Sequence, residues 1–323
     1  MAIRDITTPQ TLLGLDAGMR TAMAGLKEIM VDSEKNIEDF VSQMFTSATF
    51  DDKKMTKAVY GGMGLGAQWD QKSDKIMVSA EYLHDISVEQ YAWASAFAIT
   101  DEQQTWDDRF KLNAKFAKEF IVSLANTRQY AAMAFWNNAF TASAVCQWYN
   151  STTKALFSAT HAYGNNATNS IAGTTTWSNL GTGAGSLSAY TDAMNKLFNQ
   201  RDWEGRPAKQ MPKVLWVYPT KIGETKQILG IGQDKQSGEV SNNANMFGSN
   251  IYGDVVVKGN PYFDNVNKWI LMGNDVQVYV SEKIPLTTKT LPITTTAGTL
   301  VTEGKFSLAT WAESPRGMVG YAG

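Results

Sequence analysis

Few side chains in this chain could serve as nucleophile, general base or metal ligand: it has two histidines and one cysteine in 323 residues. His161 closely follows Ser158, in Leu156-Phe157-Ser158-Ala159-Thr160-His161, and a serine beside an imidazole is the starting material for acyl transfer. The rest of that apparatus is missing nearby, with no G-x-S-x-G elbow and no acid placed by sequence to orient the ring. A hydrolase using Ser158 and His161 is therefore the minor reading. His84, beside Asp85 and near Glu81, reads as a solvated turn residue. Cys146, between Val145 and Trp148, reads as a small buried hydrophobe instead of a reactive thiol. Asp264, Asn265 and Asn267 imitate the start of a calcium loop, but Val266 takes the position that needs an oxygen ligand. The glycine clusters at 61–66 and 181–185 match neither G-x-G-x-x-G nor the phosphate-loop pattern. The expectation is no catalytic residue, no cofactor and no metal.

Charge and cysteine content exclude further classes. With 29 Lys and Arg against 31 Asp and Glu the net charge is −2, so no strong basic field draws the chain to polyphosphate backbones. A lone cysteine cannot close an intrachain disulfide, and with two histidines it cannot build a Cys/His zinc site. No apolar run approaches the roughly 20 residues that span a bilayer. The chain reads as soluble, made in the cytoplasm and without a membrane partner. Its length allows roughly two domains.

The elements that would carry these residues follow from periodicity. Met23, Leu26, Met30, Ile37, Phe40, Val41 and Met44 fall near helical spacing, giving an arm that contains helix. From Tyr60 the period changes to two, with Met63, Leu65, Ala67 and Trp69, then Ile76, Val78, Ala80 and Tyr82, then Tyr91, Trp93, Phe97 and Ile99. Residues 60–99 read as an extended antiparallel ribbon, although Ser87 with Gln90 would also suit a capping box. Thr100 with Gln103 caps a helix that meets no proline or glycine until past Asn138, about 55 Å of helix at 1.5 Å per residue. Asp107, Asp108, Lys111, Lys115, Lys118 and Glu119 share one arc of it; Phe110, Leu112, Ala114, Phe116, Ala117, Phe120, Ile121 and Leu124 fill most of the remainder, with Arg109 the exception.

From Arg128 to Asp192 the one formally charged residue between is Lys154, which predicts core or a partner-covered surface. After a linker at 181–186, Leu187, Tyr190, Met194, Leu197 and Phe198 restart helical spacing, and a second domain begins. Val214–Tyr218 reads as a buried strand, followed by Pro219, Thr220 as cap, a short helix and Gly230 as its terminator. Residues 231–250 read as a long loop. Further strands are expected at Asp254–Lys258, Trp269–Met272, Val276–Val280 and Phe306–Trp311. Trp69, Trp93, Trp148 and Trp177 fall in ribbon or loop, where other chains would have to cover their rings.

Particular residues sharpen this order: Leu156-Phe157-Ser158 with His161 and Asn169; Leu187-Ser188; Gly205-Arg206-Pro207; Pro212 to Pro219; Ile228-Leu229; and Arg316-Gly317. Together with the arm, ribbon and long helix they resemble the major capsid proteins of tailed bacteriophages, of the Hong Kong 97 type fold. The resemblance implies an α+β fold with an N-terminal arm at 1–59 and an extended loop, the E-loop, at 60–99. It further implies a peripheral domain with a spine helix at 100–185, an axial domain at 186–300 and a C-terminal strand at 301–323. It also implies pentamers and hexamers of the chain in an icosahedral shell around packaged double-stranded DNA, bound without sequence specificity. The virion is the implied location, after assembly in the host bacterial cytoplasm. A portal and, as a further partner, a decoration protein are implied. Nothing before the arm looks like the cleavable helical domain of some relatives, so a separate scaffolding protein is expected. Trp69, Asp70, Lys72, Asp74, Lys75 and Trp93 are the implied assembly contacts. Lys72 or Lys75 would be the amine of an isopeptide cross-link if the chain forms one, but no motif identifies the asparagine. A nanocompartment of the encapsulin kind, enclosing cargo protein, is the alternative on the same fold.

Overall fold

The computed structural model describes residues 37–63, 80–99, 110–162, 176–202, 208–229, 255–293 and 299–323. The chain divides into two compact units. The first comprises Met1–Lys54, Glu89–Met133 and Tyr279–Thr310; the second comprises Met55–Val88, Ala134–Val278 and Trp311–Gly323.

Helix α2 (Phe110–Asn137), after the short α1 (Phe40–Met44), supplies the first unit with its longest element. With neither proline nor glycine in it, the helix is free to propagate, and its buried positions Ala117, Ile121, Leu124, Ala125, Arg128 and Ala132 recur at helical spacing. Lys115, Lys118 and Glu119 face solvent, as the charge pattern predicts, and so does Phe116, which the pattern assigns to the covered side. The predicted start of this helix, at Thr100 to Gln103, lies outside the described residues.

The unit's sheet is built on β13 (Thr299–Ala312), a 14-residue strand. On it pair β12 (Thr287–Ile293) and β4 (Tyr91–Ile99), both antiparallel, so that Thr302 faces Thr290 on one side and Phe97 on the other. Strand β11 (Val278–Ser281) joins the same sheet and carries β1 (Thr46–Ser47) in parallel. Two expectations change here. The third ribbon stretch does form a strand, but it pairs with β13 instead of extending the ribbon. Strand β12 had no signal, because Thr-Thr-Lys-Thr-Leu-Pro-Ile lacks alternation and carries a proline; Pro292 nevertheless pairs opposite Leu300.

Helix and sheet meet at Gly304. A Cβ there would stand 2.1 Å from Leu124 Cδ1 and 3.2 Å from the Phe120 ring. Ile99, Ala117 and Ile121, with Phe97 against them, form the small core alongside. Residues 38 and 39, just before α1, are bolted to the same helix by polar groups. Buried Arg128 donates to Glu282 at 2.6 Å and to Asp39 at 3.0 Å, while Gln129 donates to Glu38 O at 2.6 Å. Asp39 also caps α1 by accepting from Val41 N. Breaking such a buried, multiply bonded ion pair costs about 3–5 kcal/mol.

In the second unit a five-stranded sheet runs in the order β7 (Leu180–Gly181), β14 (Met318–Tyr321), β10 (Trp269–Gly273), β8 (Pro212–Val217), β9 (Val256–Gly259). Leu215, Val217, Trp269, Leu271, Val319 and Tyr321 fall on one face, by the two-residue period of strands, and pack with Tyr190, Ala193, Met194 and Leu197 of α3 (Leu187–Phe198). Ser186 caps α3 by accepting from Ala189 N. On the other face Phe157 lies so near Gly320 that a Cβ would stand 2.5 Å from its ring. Cover on both faces explains why β8 and β10 read as unbroken apolar runs. Each large side chain buried this fully contributes about 1.5–3 kcal/mol. Thr220 does not cap: it sits inside the 3-10 turn Pro219–Lys221, ahead of α4 (Ile222–Ile228), and Tyr218 and Lys221 occupy the cap positions without side-chain bonds. Gly230 and the loop at 231–250 lie outside the described residues.

Two small sheets complete the unit. Strands β2 (Lys54–Met63) and β3 (Ala80–Glu89) pair with each other, and β5 (His161–Ala162) pairs antiparallel with β6 (Thr176–Trp177). Lys268 secures the end of α2: buried to 5% exposure, it donates to Asn137 O at 3.2 Å, pairs with Asp264, and places a cation where the helix dipole is negative. The calcium-like run is thereby used up in turns, since Asn265 accepts from Asn267 N and donates to Ala322 O.

Replacing Gly304 by alanine is expected to destabilise the chain by about 1–3 kcal/mol through overpacking against Leu124. In a double-mutant cycle read by urea unfolding, Leu124→Ala should relieve part of that loss, with a coupling of about 1 kcal/mol. Additive losses would mean that the two positions do not touch.

Candidate functional site

Two kinds of site are open to description: the polar cluster around Ser158 and His161, and the apolar surface left uncovered. The cluster is organised by Asn179, which is fully buried. Its Nδ2 donates to Leu156 O and Pro315 O, each at 3.0 Å, which orients the amide so that Oδ1 is the acceptor. Oδ1 accepts from Ser158 N at 2.8 Å and meets His161 Nε2 at 2.9 Å. The Asn179 backbone donates to Ser158 O and accepts from Gly320 N. His161 Nε2 also lies 3.1 Å from Leu156 O. Both partners of Nε2 are acceptors, so that nitrogen bears the proton and Nδ1 is the one left to titrate.

That arrangement does not assemble a hydrolase. Ser158 Oγ accepts from Thr160 N at 3.3 Å, while the imidazole is held by Asn179 and Leu156. Burial pushes His161 down to about 4, making it a feeble base, with the hydrogen bond to Asn179 opposing the shift. The cluster ties the loop at 156–161 to β14 and to the segment before it. Asn169 lies outside the described residues; the asparagine bonded to His161 is Asn179, whose contact across 18 positions left no mark in the sequence.

The aromatic rings expected to need a neighbouring chain are covered more fully than that. Trp148 and Trp177 are buried within the unit, with His161 between them at centroid distances of 5.8 and 4.7 Å. His84 is likewise no solvated turn residue: it lies on β3 and stacks on Tyr149 at 3.8 Å. Cys146 is buried, as expected, and burial drives its thiol far up.

In the first unit Trp93 is half-buried and stacks on Phe306 at 5.3 Å, directly across the register of β4 and β13. Trp69, Asp70, Lys72, Asp74 and Lys75 lie outside the described residues. Uncovered apolar groups are found at other positions. Tyr60 and Tyr82 face solvent from β2 and β3, edge to face at 6.1 Å, with exposures of 61% and 50%. Along β4, Tyr91, Ala92, Ala94, Ala96 and Ala98 are exposed, and the strand carries no charge. On α2, Phe116 and Tyr130 are exposed. The tyrosines of the ribbon were legible as alternation, but which of the two faces stays open was not. Among the described residues no group of three or more His, Cys, Asp or Glu could hold a metal ion, and no helix is long and apolar enough to cross a membrane.

Asn179→Ala is expected to strip partners from several buried polar groups at once. At about 1–3 kcal/mol for each group left unsatisfied, the loss should reach about 3–5 kcal/mol in chemical unfolding, with His161→Gln, which retains an N–H donor, costing less.

No protein family and no curated protein matches the sequence. Solved structures do match. The capsid of a native GTA particle superposes with a TM-score of 0.51 at 12% identity, over 88% of this chain and 90% of that one. The capsid of the cyanophage P-SCSP1u gives 0.51 at 11%, over 86% and 85%. The Mycobacterium phage Adephagia structure gives 0.50 at 11%, over 88% and 90%. At such identities the likeness speaks to architecture, and it runs nearly end to end: the chain has the Hong Kong 97 type capsid fold.

Proposed function

We propose that the chain is the structural subunit of a bacteriophage head, self-assembling as pentamers and hexamers into an icosahedral shell around double-stranded DNA. The observation that carries this reading is the β2–β3 ribbon. It buries Val59, Ile86 and Val88 in its own unit yet leaves Tyr60 and Tyr82 in solvent, apolar rings that the chain itself does not cover. Neighbouring copies would supply the missing cover. Contacts of about 2,000–5,000 Å² per subunit at about 25 cal/mol/Å² amount to gross tens of kcal/mol, much of it offset by ordering and lost freedom. Repeated symmetric contacts then close the shell.

In this reading residues 1–59 are the arm, 60–99 the extended loop with β4 at its root, and 100–185 the peripheral domain. Residues 186–300 are the axial domain, and 301–323 return as the C-terminal strand. Trp69, Asp70, Lys72, Asp74, Lys75 and Trp93 serve as contacts between subunits. The net charge of −2 suits a wall that confines DNA without adhering to it. A scaffolding protein, a portal and a decoration protein are the expected partners, with assembly in the host bacterial cytoplasm. Ser158 and His161 act as structural groups, and the chain is not an enzyme.

Purified chain, with candidate scaffold, is expected to give very large particles or free capsomers by light scattering and negative-stain microscopy. A monomer under every condition would overturn the proposal, and particles filled with protein cargo would move it to a nanocompartment. Tyr60→Glu and Tyr82→Glu should leave unfolding within about 0.5 kcal/mol of the parent. Both should raise the concentration needed for assembly tenfold or more, the equivalent of about 1.4 kcal/mol.

A further inference from the structure

Both histidines of the chain lie in one continuous run of rings. His84 on β3 stacks on Tyr149 at 3.8 Å; Tyr149 meets Trp148 edge to face at 4.8 Å; Trp148 meets His161 at 5.8 Å; and His161 lies 4.7 Å from Trp177. The Arg316 guanidinium closes the run, 5.4 Å over the Trp177 ring. Trp148, His161, Trp177 and Arg316 are buried. The run therefore reaches from the ribbon, through the loop of Trp148 and Tyr149 and the paired strands β5 and β6, to the segment that leads into β14.

We infer that this run is an acid-operated latch, holding the β2–β3 ribbon while both imidazoles are neutral and releasing it when they take up protons beside Arg316.

The charges around each ring give the latch its direction. His84 is faced by Arg316, by Asp85, and by the Glu313 backbone, to which it hydrogen-bonds; His161 is faced by Arg316 and Lys154. Lys154 is held close by donating to Thr160 O at 3.2 Å. Lys57 on β2 pairs with Glu313 and is a second tie between the ribbon and the same segment. A proton on either imidazole adds a cation next to a buried guanidinium, where low dielectric magnifies the repulsion. Burial lowers both histidines below the ordinary 6.5, His161 to about 4. With the folded values depressed, the unfolded or opened chain binds protons first. The latch is at full strength above about pH 6.5 and weakens as the pH falls toward 4.

The test is hydrogen exchange on the full chain, corrected for intrinsic rates, at pH 7 and pH 4.5. Exchange across β2 and β3, residues 54–63 and 80–89, should rise at least tenfold on acidification. In His84→Phe/His161→Gln, where a ring still stacks on Tyr149 and an N–H still faces Asn179, the rise should shrink to less than threefold. An equal rise in that variant would assign the opening to groups other than the two histidines and overturn the latch. Should the double variant fail to fold, the parent chain decides by NMR. Two histidine ring signals titrating below 6.5, together with ribbon opening, support the latch; titration at 6.5, or a ribbon that stays closed on acidification, overturns it.

Discussion

Helix α2 can lie against its sheet because position 304 has no side chain. Leu124 and Phe120 occupy the space a Cβ would need, and the strand that carries Gly304 is paired on both sides at that point, to β4 through Ser95 and to β12 through Thr288. Three strands and the longest helix of the first unit therefore share one close contact. A packed interior transmits a misfit of one methyl group to everything around it. The segment before α1 depends on the same helix, since Arg128 and Gln129 can reach Asp39, Glu282 and Glu38 only if the helix holds its rotation.

The second unit reaches comparable rigidity by a different route. Its sheet is covered on both faces, but the loops around it are joined by fully paired polar groups instead of more hydrophobic area. Asn179 satisfies two carbonyls, one amide and one imidazole with its side chain alone. Lys268 does the same for the end of α2. Buried polar groups of this kind stabilise modestly when complete and cost heavily when one member is lost, so they select one arrangement of loops over its alternatives.

Within these two units, the ribbon and β4 keep tyrosines and alanines in solvent. Buried cores and extended apolar surface left in solvent thus occur side by side in the free chain. The ring run from His84 to Arg316 ties the ribbon to the segment before β14, which makes it the place where solution conditions can act on the ribbon.

Much of the element order was legible from composition and period. The uninterrupted helix, the all-apolar run at 214–218, the helical spacing that restarts at Leu187 and the burial of Cys146 are consequences of local chemistry. Propensity, capping and alternation act over a few residues, and the sequence displays them directly. The same reasoning left β12 unseen, placed β4 in the ribbon, made Thr220 a cap and put His84 in water. Each of these depends on a partner far along the chain. A proline-bearing run becomes a strand when β13 lies beside it, and a histidine is desolvated when Tyr149 covers it. Asn179 was silent for that reason: its identity is local, but the six bonds that give it its role are brought within reach only when the chain has folded.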